Sequence, residues 1–220
     1  MVDWSDPLLL SLRVSLLATA LTGIVGVGGA WVIARTSLPG RRVLEVVATL
    51  PIVLPPTVLG YYLLVALGRT SPIGRVWESV FGQPLVFTWQ GAVVAASIAS
   101  LPYCLRTARA AISEVDVRYE QAARTMGLPE WRIALQVTLP LARRGILAGL
   151  ALAFARALGD FGATLMVAGN IPGRTRTMPI AIYDAVQAGN DARALYLSVV
   201  LSLVAVSVLA AVTLLERRPA

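Results

Sequence analysis

The sequence predicts an all-α integral membrane protein with five transmembrane helices. Of the 220 residues, 57% are apolar and only 14% are charged, and the mean hydropathy is +0.73. A soluble domain usually has about 25% charged residues. Apolar stretches of about 20 residues, the length that crosses a bilayer as a helix, recur from one end of the chain to the other. We therefore expect one transmembrane domain over residues 1–220.

Five candidate spans follow one another along the chain. Four of them contain no charged residue, whereas the fourth in order contains Arg156 and Asp160. A Gly-Gln-Pro stretch near the start of span 3 is expected to form a loop. A shorter segment, residues 177–183, cannot cross alone and is expected to form a half-helix or a re-entrant, sixth segment. Spans 1 to 5 cover residues 14–34, 46–68, 79–105, 145–168 and 194–215.

The distribution of arginine predicts the orientation in the membrane. All 19 basic residues are Arg, and the formal net charge is +7. With the N-terminus outside, 12 Arg fall in inner segments and 5 in outer segments, and inner loops are the ones that carry the excess of positive charge. We expect a multi-pass protein of the inner (cytoplasmic) membrane with its N-terminus outside and its C-terminus inside. Asp3 and Asp6 occur where a cleavable signal would be basic, so none is expected.

Residue types needed for catalysis are scarce. The chain has no His, no Lys and one Cys, Cys104, which is expected to be a small buried residue. A phosphate-binding loop of the Gly-x-x-x-x-Gly-Lys type needs a Lys. We therefore expect no metal, no cofactor and no ATP hydrolysis by this chain. The Arg residues lie in loops without interleaved aromatic residues, which argues against nucleic acid as a partner.

The longest inner segment, residues 106–144, has helix signals of its own. Gly127 is a natural helix terminator, and Pro129 suits the first turn of a second short helix, which is expected to end at Leu139-Pro140. The pair is expected over about residues 115–140. Apolar residues at helical spacing predict a first amphipathic helix over residues 115–126, with these side chains near one face: Val115, Tyr119, Ala122, Ala123 and Met126.

A motif occupies the same segment. Residues 121–127 read Gln-Ala-Ala-Arg-Thr-Met-Gly, and nine residues later 137–140 read Val-Thr-Leu-Pro. This spacing resembles the "EAA" signature of bacterial ABC importer permeases, with Gln in the Glu position and Val in the Ile position. In that family the helix pair inserts into a groove of a cytoplasmic ATPase subunit. The alternative without a coupling function is a helix pair that lies on the membrane surface. The resemblance assigns ATPase coupling to Glu120, Gln121, Ala122, Ala123, Gly127, Leu139 and Pro140.

Three further stretches, residues 50–61, 154–164 and 169–183, resemble the permease subunits of molybdate ABC importers. Asp160 stands where that family is expected to have Glu. The resemblance implies the small permease fold of the oxyanion and methionine importers. It also implies a homodimer in the lipid bilayer, two cytoplasmic ATPase subunits that use ATP and Mg²⁺, and an extracytoplasmic binding protein. Such an assembly would translocate molybdate by alternating access.

Other functions stay open on the sequence alone. Tungstate and sulfate are tetrahedral dianions of the same charge and are the alternative substrates. A stand-alone secondary transporter or channel is the alternative from a different class, although five spans without an internal inverted repeat argue against it. A non-transporting membrane scaffold is a third alternative.

Prolines in span 2 mark candidate pathway residues. Pro51, Pro55 and Pro56 each remove a backbone donor and obstruct the preceding turn. In lipid, the freed carbonyls must be satisfied by protein or by a water-filled path. We expect a broken helix beside the pathway, with the hydroxyl of Thr57 facing it; a packing kink is the alternative.

Two charges inside span 4 form a second candidate. Arg156 and Asp160 are four residues apart, so they are expected to share one helix face and to interact. Charges at membrane depth are costly, and a pair indicates a face turned away from lipid. We expect a role at the gate or the dimer interface, helped by close packing at Gly159 and Gly162; a structural ion pair is the alternative.

Two arginines lie in an outer segment, where the positive-inside rule disfavours them. Arg174 and Arg176 stand two residues apart between spans 4 and 5. A guanidinium can bind a carboxylate through paired hydrogen bonds. We expect these two residues to contact the binding protein or the arriving anion; a solvated loop is the alternative.

Overall fold

The computed structural model describes residues 5–36 and 39–216, and over that part of the chain the helices are the only regular structure. We number them in chain order. They are α1 Ser5–Arg35, α2 Arg41–Val53, α3 Pro56–Leu67, α4 Pro72–Phe81, α5 Trp89–Glu114, α6 Val117–Thr125, α7 Glu130–Ile133, α8 Leu139–Leu141, α9 Arg143–Leu158, α10 Gly162–Ala168, α11 Met178–Gln187 and α12 Asp191–Glu216. A π-helical turn, Ala134–Thr138, joins α7 to α8.

Three helices of the described residues, α1, α5 and α12, are long and apolar enough to cross a bilayer alone. The number rises to five when each of two bent helix pairs is counted as one broken span. The 26 residues of α5 extend about 39 Å at 1.5 Å per residue, and the hydrocarbon core is about 30 Å thick. The all-α membrane fold predicted from the sequence is confirmed.

The two bent pairs break where proline and a tight turn fall. Helices α2 and α3 meet at 119°, with the bend at Leu54-Pro55, inside predicted span 2. The segment Glu130–Leu141 meets α9 at 80°, with the bend at Ala142. The second short helix therefore extends one residue past its predicted end at Leu139-Pro140. Proline has no N–H to lose in a first turn, so Pro140 fits at the start of α8 and the helical path continues through Leu141.

Predicted span 4 is interrupted rather than continuous. Helix α9 ends at Leu158 and α10 begins at Gly162. One carboxylate oxygen of Asp160 accepts a hydrogen bond from the backbone N–H of Thr164 at 2.9 Å. This side-chain acceptor caps the new helix and competes with the helical ladder, which explains the break.

Three other boundaries differ from the predictions. Span 3 begins at Trp89 instead of residue 79 and continues as a helix to Glu114, well past the apolar stretch. Helix α6 begins at Val117 instead of residue 115, because the carboxylate of Asp116 accepts the N–H of Arg118 at 2.9 Å as a helix cap. The short segment predicted at 177–183 continues to Gln187 as α11, whose ten residues extend only about 15 Å; the prediction that it cannot cross a bilayer alone is confirmed.

Helix α5 occupies the centre of the molecule. Within its apolar window 61% of the residues are buried inside the chain, against 11% for α12. Its neighbours α1 and α9 approach it through small residues: a Cβ on Gly26 would lie 3.2 Å from Cys104 Sγ, and one on Gly149 would lie 3.2 Å from the Cys104 carbonyl. The hydroxyls of Thr22 and Ser100 also meet, at 3.1 Å. Such close contacts hold helices together where lipid provides no hydrophobic drive.

Candidate coupling segment, transport path and outer cavity

The first short helix of the coupling segment, which we define as residues 115–141, ends in a glycine turn. Gly127 has φ +80°, and its N–H donates to the Arg124 carbonyl at 2.9 Å, while the Leu128 N–H donates to the Ala123 carbonyl at 3.3 Å. This pair of bonds is a Schellman cap. A Cβ at Gly127 would meet no atom within 4 Å, so the left-handed backbone, not crowding, requires glycine.

A two-pronged ion pair spans the same turn. Arg124 donates from Nε to Glu130 Oε1 at 2.6 Å and from Nη2 to Glu130 Oε2 at 3.0 Å. This hydrogen bonding raises the pKa of the Arg124 guanidinium above its usual value. Both side chains are exposed, and exposed pairs add little stability. The pair therefore orients the two short helices more than it stabilises them.

The solvent-exposed surface of the coupling segment includes several large apolar side chains. Patches of aromatic and Met side chains are typical of protein interfaces. The segment therefore has the surface expected of a docking element. The exposed side chains are Tyr119, Met126, Trp131 and Leu135, each more than half exposed.

The predicted amphipathic face of α6 is only partly correct. Ala123 is buried as expected, but Ala122, Tyr119 and Met126 are exposed. The side chain that shares the buried face with Ala123 is Glu120, only 2% exposed. A charged residue can occupy this face because it has hydrogen-bonding partners inside the protein. Gln121, which takes the Glu position of the signature, is exposed.

Glu120 joins the coupling segment to the ends of two membrane helices. Its Oε1 accepts hydrogen bonds from Arg35 Nε at 2.8 Å and from Thr138 Oγ1 at 2.7 Å. Arg35 Nη2 also donates to the carbonyls of Ile112 and Val115, at 2.8 and 2.7 Å. The end of α1, the end of α5, α6 and the π-helical turn thus meet at one buried ion pair. This role was not predicted from the sequence, in which Arg35 counted only as an inner positive charge.

The Leu-Pro pair of the signature lies on the same side of the molecule. Leu139 packs against a buried cluster that includes Ala30 of α1 and Ala108 and Ile112 of α5. Pro140 is exposed at the start of α8. The coupling segment therefore contacts α1 and α5 through an apolar contact as well as through Glu120.

The broken spans meet each other at a glycine contact. A Cβ on Gly162, at the start of α10, would lie 2.8 Å from Pro56 Cβ, at the start of α3. One turn further along, a Cβ on Gly60 would lie 2.7 Å from Met166 Cβ. We expected Gly162 to serve dimer packing, but it packs against span 2 of its own chain. The two half-helices α3 and α10 thus lie side by side from their first residues.

The prolines of span 2 are distributed over the bend. Pro51 lies within α2, whereas Pro55 and Pro56 lie at the bend and are exposed, as is Thr57. Exposure of a hydroxyl and two ring edges at a helix break fits the predicted pathway position. The gate role of these four residues stays a prediction.

Arg156 and Asp160 interact as expected from their spacing. Arg156 Nη1 lies 2.9 Å from Asp160 Oδ1, and the Asp160 side chain is fully buried. The second carboxylate oxygen accepts bonds from the N–H and the hydroxyl of Thr164, at 2.9 and 2.6 Å. Asp160 therefore has two functions: it compensates the charge of Arg156, and it caps α10. Asp160 lies at the break of span 4, two residues before Gly162, and Arg156 lies in the last turn of α9.

The two outer arginines have different surroundings. Arg176 lies 3.0 Å from Asp184 and donates to Asn170 Oδ1 at 2.7 Å, so it ties the 169–177 loop to α11. Arg174 is exposed and lines a polar cavity of about 350 Å³ at this end of the molecule, together with Arg13. Arg174 and Arg176 were predicted to act together because they are close in sequence; the fold instead brings Arg174 close to Arg13, 161 positions earlier in the chain.

Comparison with known proteins identifies the class to which this fold and coupling segment belong. A profile of the family described as "Binding-protein-dependent transport system inner membrane component" matches residues 24–220. The chain belongs to this family, and is therefore a transport component of an inner membrane.

Curated relatives make the relationship more specific. The molybdenum transport system permease protein ModB of Escherichia coli (strain K12) is 48% identical over 185 residues, which cover 84% of this chain and 80% of the relative. The putative molybdenum transport system permease protein YvgM of Bacillus subtilis (strain 168) is 42% identical over 190 residues, covering 86% and 83%. A sulfate transport system permease protein, CysW of Synechocystis, is 34% identical over 216 residues, covering 98% and 78%.

A solved structure shares the fold. A chain of the MetNI methionine ABC transporter, in an inward-facing conformation, superposes with a TM-score of 0.73 at 16% identity, over 96% of this chain and 93% of that one. At this identity the likeness concerns the fold alone. The predicted ABC importer permease fold is confirmed.

Proposed function

We propose that the chain is the membrane-spanning permease subunit of an ATP-driven importer and that it translocates molybdate by alternating access. The observation that carries the proposal is the 48% identity to the E. coli molybdenum permease over 84% of the chain. The sulfate relative is more distant, at 34%, which favours molybdate over sulfate.

The proposed assembly contains two copies of the chain, two cytoplasmic ATPase subunits and an extracytoplasmic binding protein. The exposed apolar side chains of the coupling segment support an ATPase contact there. The largely uncovered helix α12 supports a position against lipid or the second copy. ATP and Mg²⁺ are used by the ATPase subunits, and the chain itself binds no cofactor.

The proposed orientation has the N-terminus outside and the C-terminus inside. The end of the molecule that holds the coupling segment also holds Arg35 and the ion pair of Arg109 with Glu45, as expected for the positive, inner side. Two arginines of the inner count, Arg217 and Arg218, lie outside the described residues. The outer cavity lies at the opposite end.

The proposed mechanism uses the contacts of the coupling segment. When ATP brings the ATPase subunits together, the coupling segment moves with them, and the contacts of Glu120 and Leu139 pass this movement to α1 and α5. The half-helices tilt at the breaks beside Pro55 and Asp160, and the path opens outward. The binding protein delivers the anion, and ATP hydrolysis resets the path inward.

Uptake by cells tests the substrate. Cells without their own molybdate uptake would express the chain with ATPase and binding-protein subunits encoded beside it, and take up radiolabelled molybdate. We expect saturable uptake that excess molybdate or tungstate competes away and excess sulfate does not. Stronger competition by sulfate would support the sulfate alternative. Uptake that persists without the ATPase subunits would overturn the proposal in favour of a stand-alone transporter or channel.

A further inference from the structure

A polar cavity opens at the end of the molecule opposite the coupling segment. Its volume is about 350 Å³, and it lies between the first turns of α1, the start of α5 and the 169–177 loop. None of the residues at the breaks of spans 2 and 4 lines it. The cavity is therefore separate from the candidate pathway. Its walls include Leu10, Arg13, Thr88, Trp89, Gln90 and Arg174.

Two positive charges line this cavity without a carboxylate partner among the described residues. The Arg13 guanidinium lies over the Trp89 ring, 3.8 Å from its centroid, and Arg174 is exposed. Within the described residues, no carboxylate forms an ion pair with either one. At the same end of the molecule Arg69 is paired with Glu78 and Arg176 with Asp184. The cavity thus carries a local excess of positive charge, and stacking on the Trp89 ring holds the Arg13 guanidinium in place.

The side chain of Gln90 adds hydrogen-bonding capacity to the cavity wall. Gln90 Oε1 is buried and has no hydrogen-bond partner among the described residues. Its carbonyl and amino ends are interchangeable by rotation of the amide group, so Gln90 can present an N–H to an anion in the cavity. Gln90 thus adds a hydrogen-bond donor to the cavity wall beside the two arginines.

We propose that the cavity receives a carboxylate side chain of the binding protein, held between Arg13 and Arg174. The inference rests on the proposed function. It assigns Arg13, in place of Arg176, as the residue that acts with Arg174, because Arg176 is already bound to Asp184 and Asn170. The occupant is a protein carboxylate because Arg174 lies on an exposed loop and the cavity is off the candidate path. A free oxyanion captured there would be held away from the pathway.

The test measures ATPase stimulation of the complete transporter in lipid nanodiscs at increasing concentrations of anion-loaded binding protein. Arg174→Gln is expected to raise the half-maximal concentration about fivefold, the effect of one exposed charge pair, with the maximal rate regained at saturation. Arg13→Gln/Arg174→Gln should raise it further and should flatten its salt dependence, because screened charge pairs are then missing. Arg69→Gln is the matched control. It removes one positive charge from the same end of the molecule, but Arg69 is already paired with Glu78, so the half-maximal concentration should stay unchanged.

Each other outcome overturns the inference. A folded double variant with the wild-type half-maximal concentration would refute the docking role. An equal shift in Arg69→Gln would show that the effect comes from general surface charge and not from this cavity. A changed requirement for molybdate at saturating binding protein would identify a free-anion site. A shift that follows the anionic lipid content of the nanodisc would identify a headgroup site. Absence of stimulation in the wild type would refute the proposed function itself, and this inference with it.

Discussion

The buried carboxylate of Glu120 holds α6, the end of α1 and the π-helical turn in contact. Replacing Glu120 with Ala leaves the Arg35 guanidinium, itself mostly buried, without its charge partner. Removing one member of a buried ion pair typically costs about 3–5 kcal/mol, so we expect a clearly lower thermal unfolding midpoint of the assembled transporter and less co-purified ATPase. Gln121→Ala changes the exposed neighbour and is the matched control for stability alone, because Gln121 is itself assigned to ATPase coupling. Equal stability of the two variants would contradict this role.

The pair of Arg156 and Asp160 gives a second prediction at the same scale. Asp160 also caps α10 through Thr164, so Asp160→Ala should destabilise the transporter more than Arg156→Ala. The double variant should be more stable than the sum of the single effects predicts, because no lone charge remains at membrane depth. A double-mutant cycle on thermal stability measures this. Strictly additive effects would mean that the two side chains do not interact.

Predictions for single residues succeeded where partners are near in sequence. The Arg156–Asp160 ion pair follows from a spacing of four residues. The partners of Glu120 do not follow from sequence spacing. Arg35 is 85 positions away, and only the packing of α1 against the coupling segment brings Arg35 and Glu120 together. A signal was nevertheless present: Glu120 lies three residues before Ala123, on the same side of the helix. An acidic residue on a buried helix face requires a cation from elsewhere in the chain.

At the scale of helices, the turn between α6 and α7 depends on the backbone of Gly127. Gly127→Ala forces a Cβ into the left-handed region, which costs about 1–2 kcal/mol, and should loosen the helix pair. Gly127→Asn is the control, because Asn tolerates this conformation better. Co-purification of the ATPase and the ratio of ATP hydrolysed to anion transported are the measurements. An Ala variant with normal assembly and normal coupling would refute the requirement for this turn.

The contact between the two broken spans depends on Gly60. A Cβ there would lie 3.0 Å from the Ala163 Cα and still closer to Met166, so Gly60→Ala must push α3 away from α10. Overpacking of this kind costs about 1–3 kcal/mol, and we expect lower uptake together with lower stability. Gly28→Ala on α1, where a Cβ meets nothing within 4 Å, should leave both unchanged. Wild-type uptake and stability in Gly60→Ala would contradict the close contact of the two half-helices.

Helix prediction from apolar length found the spans but not all of their breaks. The bend of span 2 was expected, because proline removes a donor wherever it stands. The break of span 4 was not expected, because a hydropathy profile does not show that the Asp160 carboxylate caps a new helix. The coupling helices were found from Gly127 and Pro129, but the end of the second helix was placed early, since Pro140 is tolerated in a first turn.

At the scale of the whole molecule, the chain covers its own helices unevenly, as expected of a subunit of the proposed assembly. Helix α5 is enclosed, whereas α12, the coupling segment and the outer cavity present apolar or charged surfaces at the side and at the two ends. The family was predictable because its signature spacing survives in the sequence and is local. The arrangement of the outer cavity was not, because it joins residues from three distant segments.

Accumulation of molybdate in sealed vesicles tests the central claim most directly. Proteoliposomes would hold the chain with its ATPase subunits, with binding protein and radiolabelled molybdate outside and ATP with Mg²⁺ at the ATPase face. We predict accumulation above the external concentration that requires ATP hydrolysis and the binding protein, and that is lost when the ATPase subunits are omitted. Accumulation without ATPase subunits, or none with all components present and ATP being hydrolysed, would contradict the claim that this chain is an ATP-driven molybdate permease.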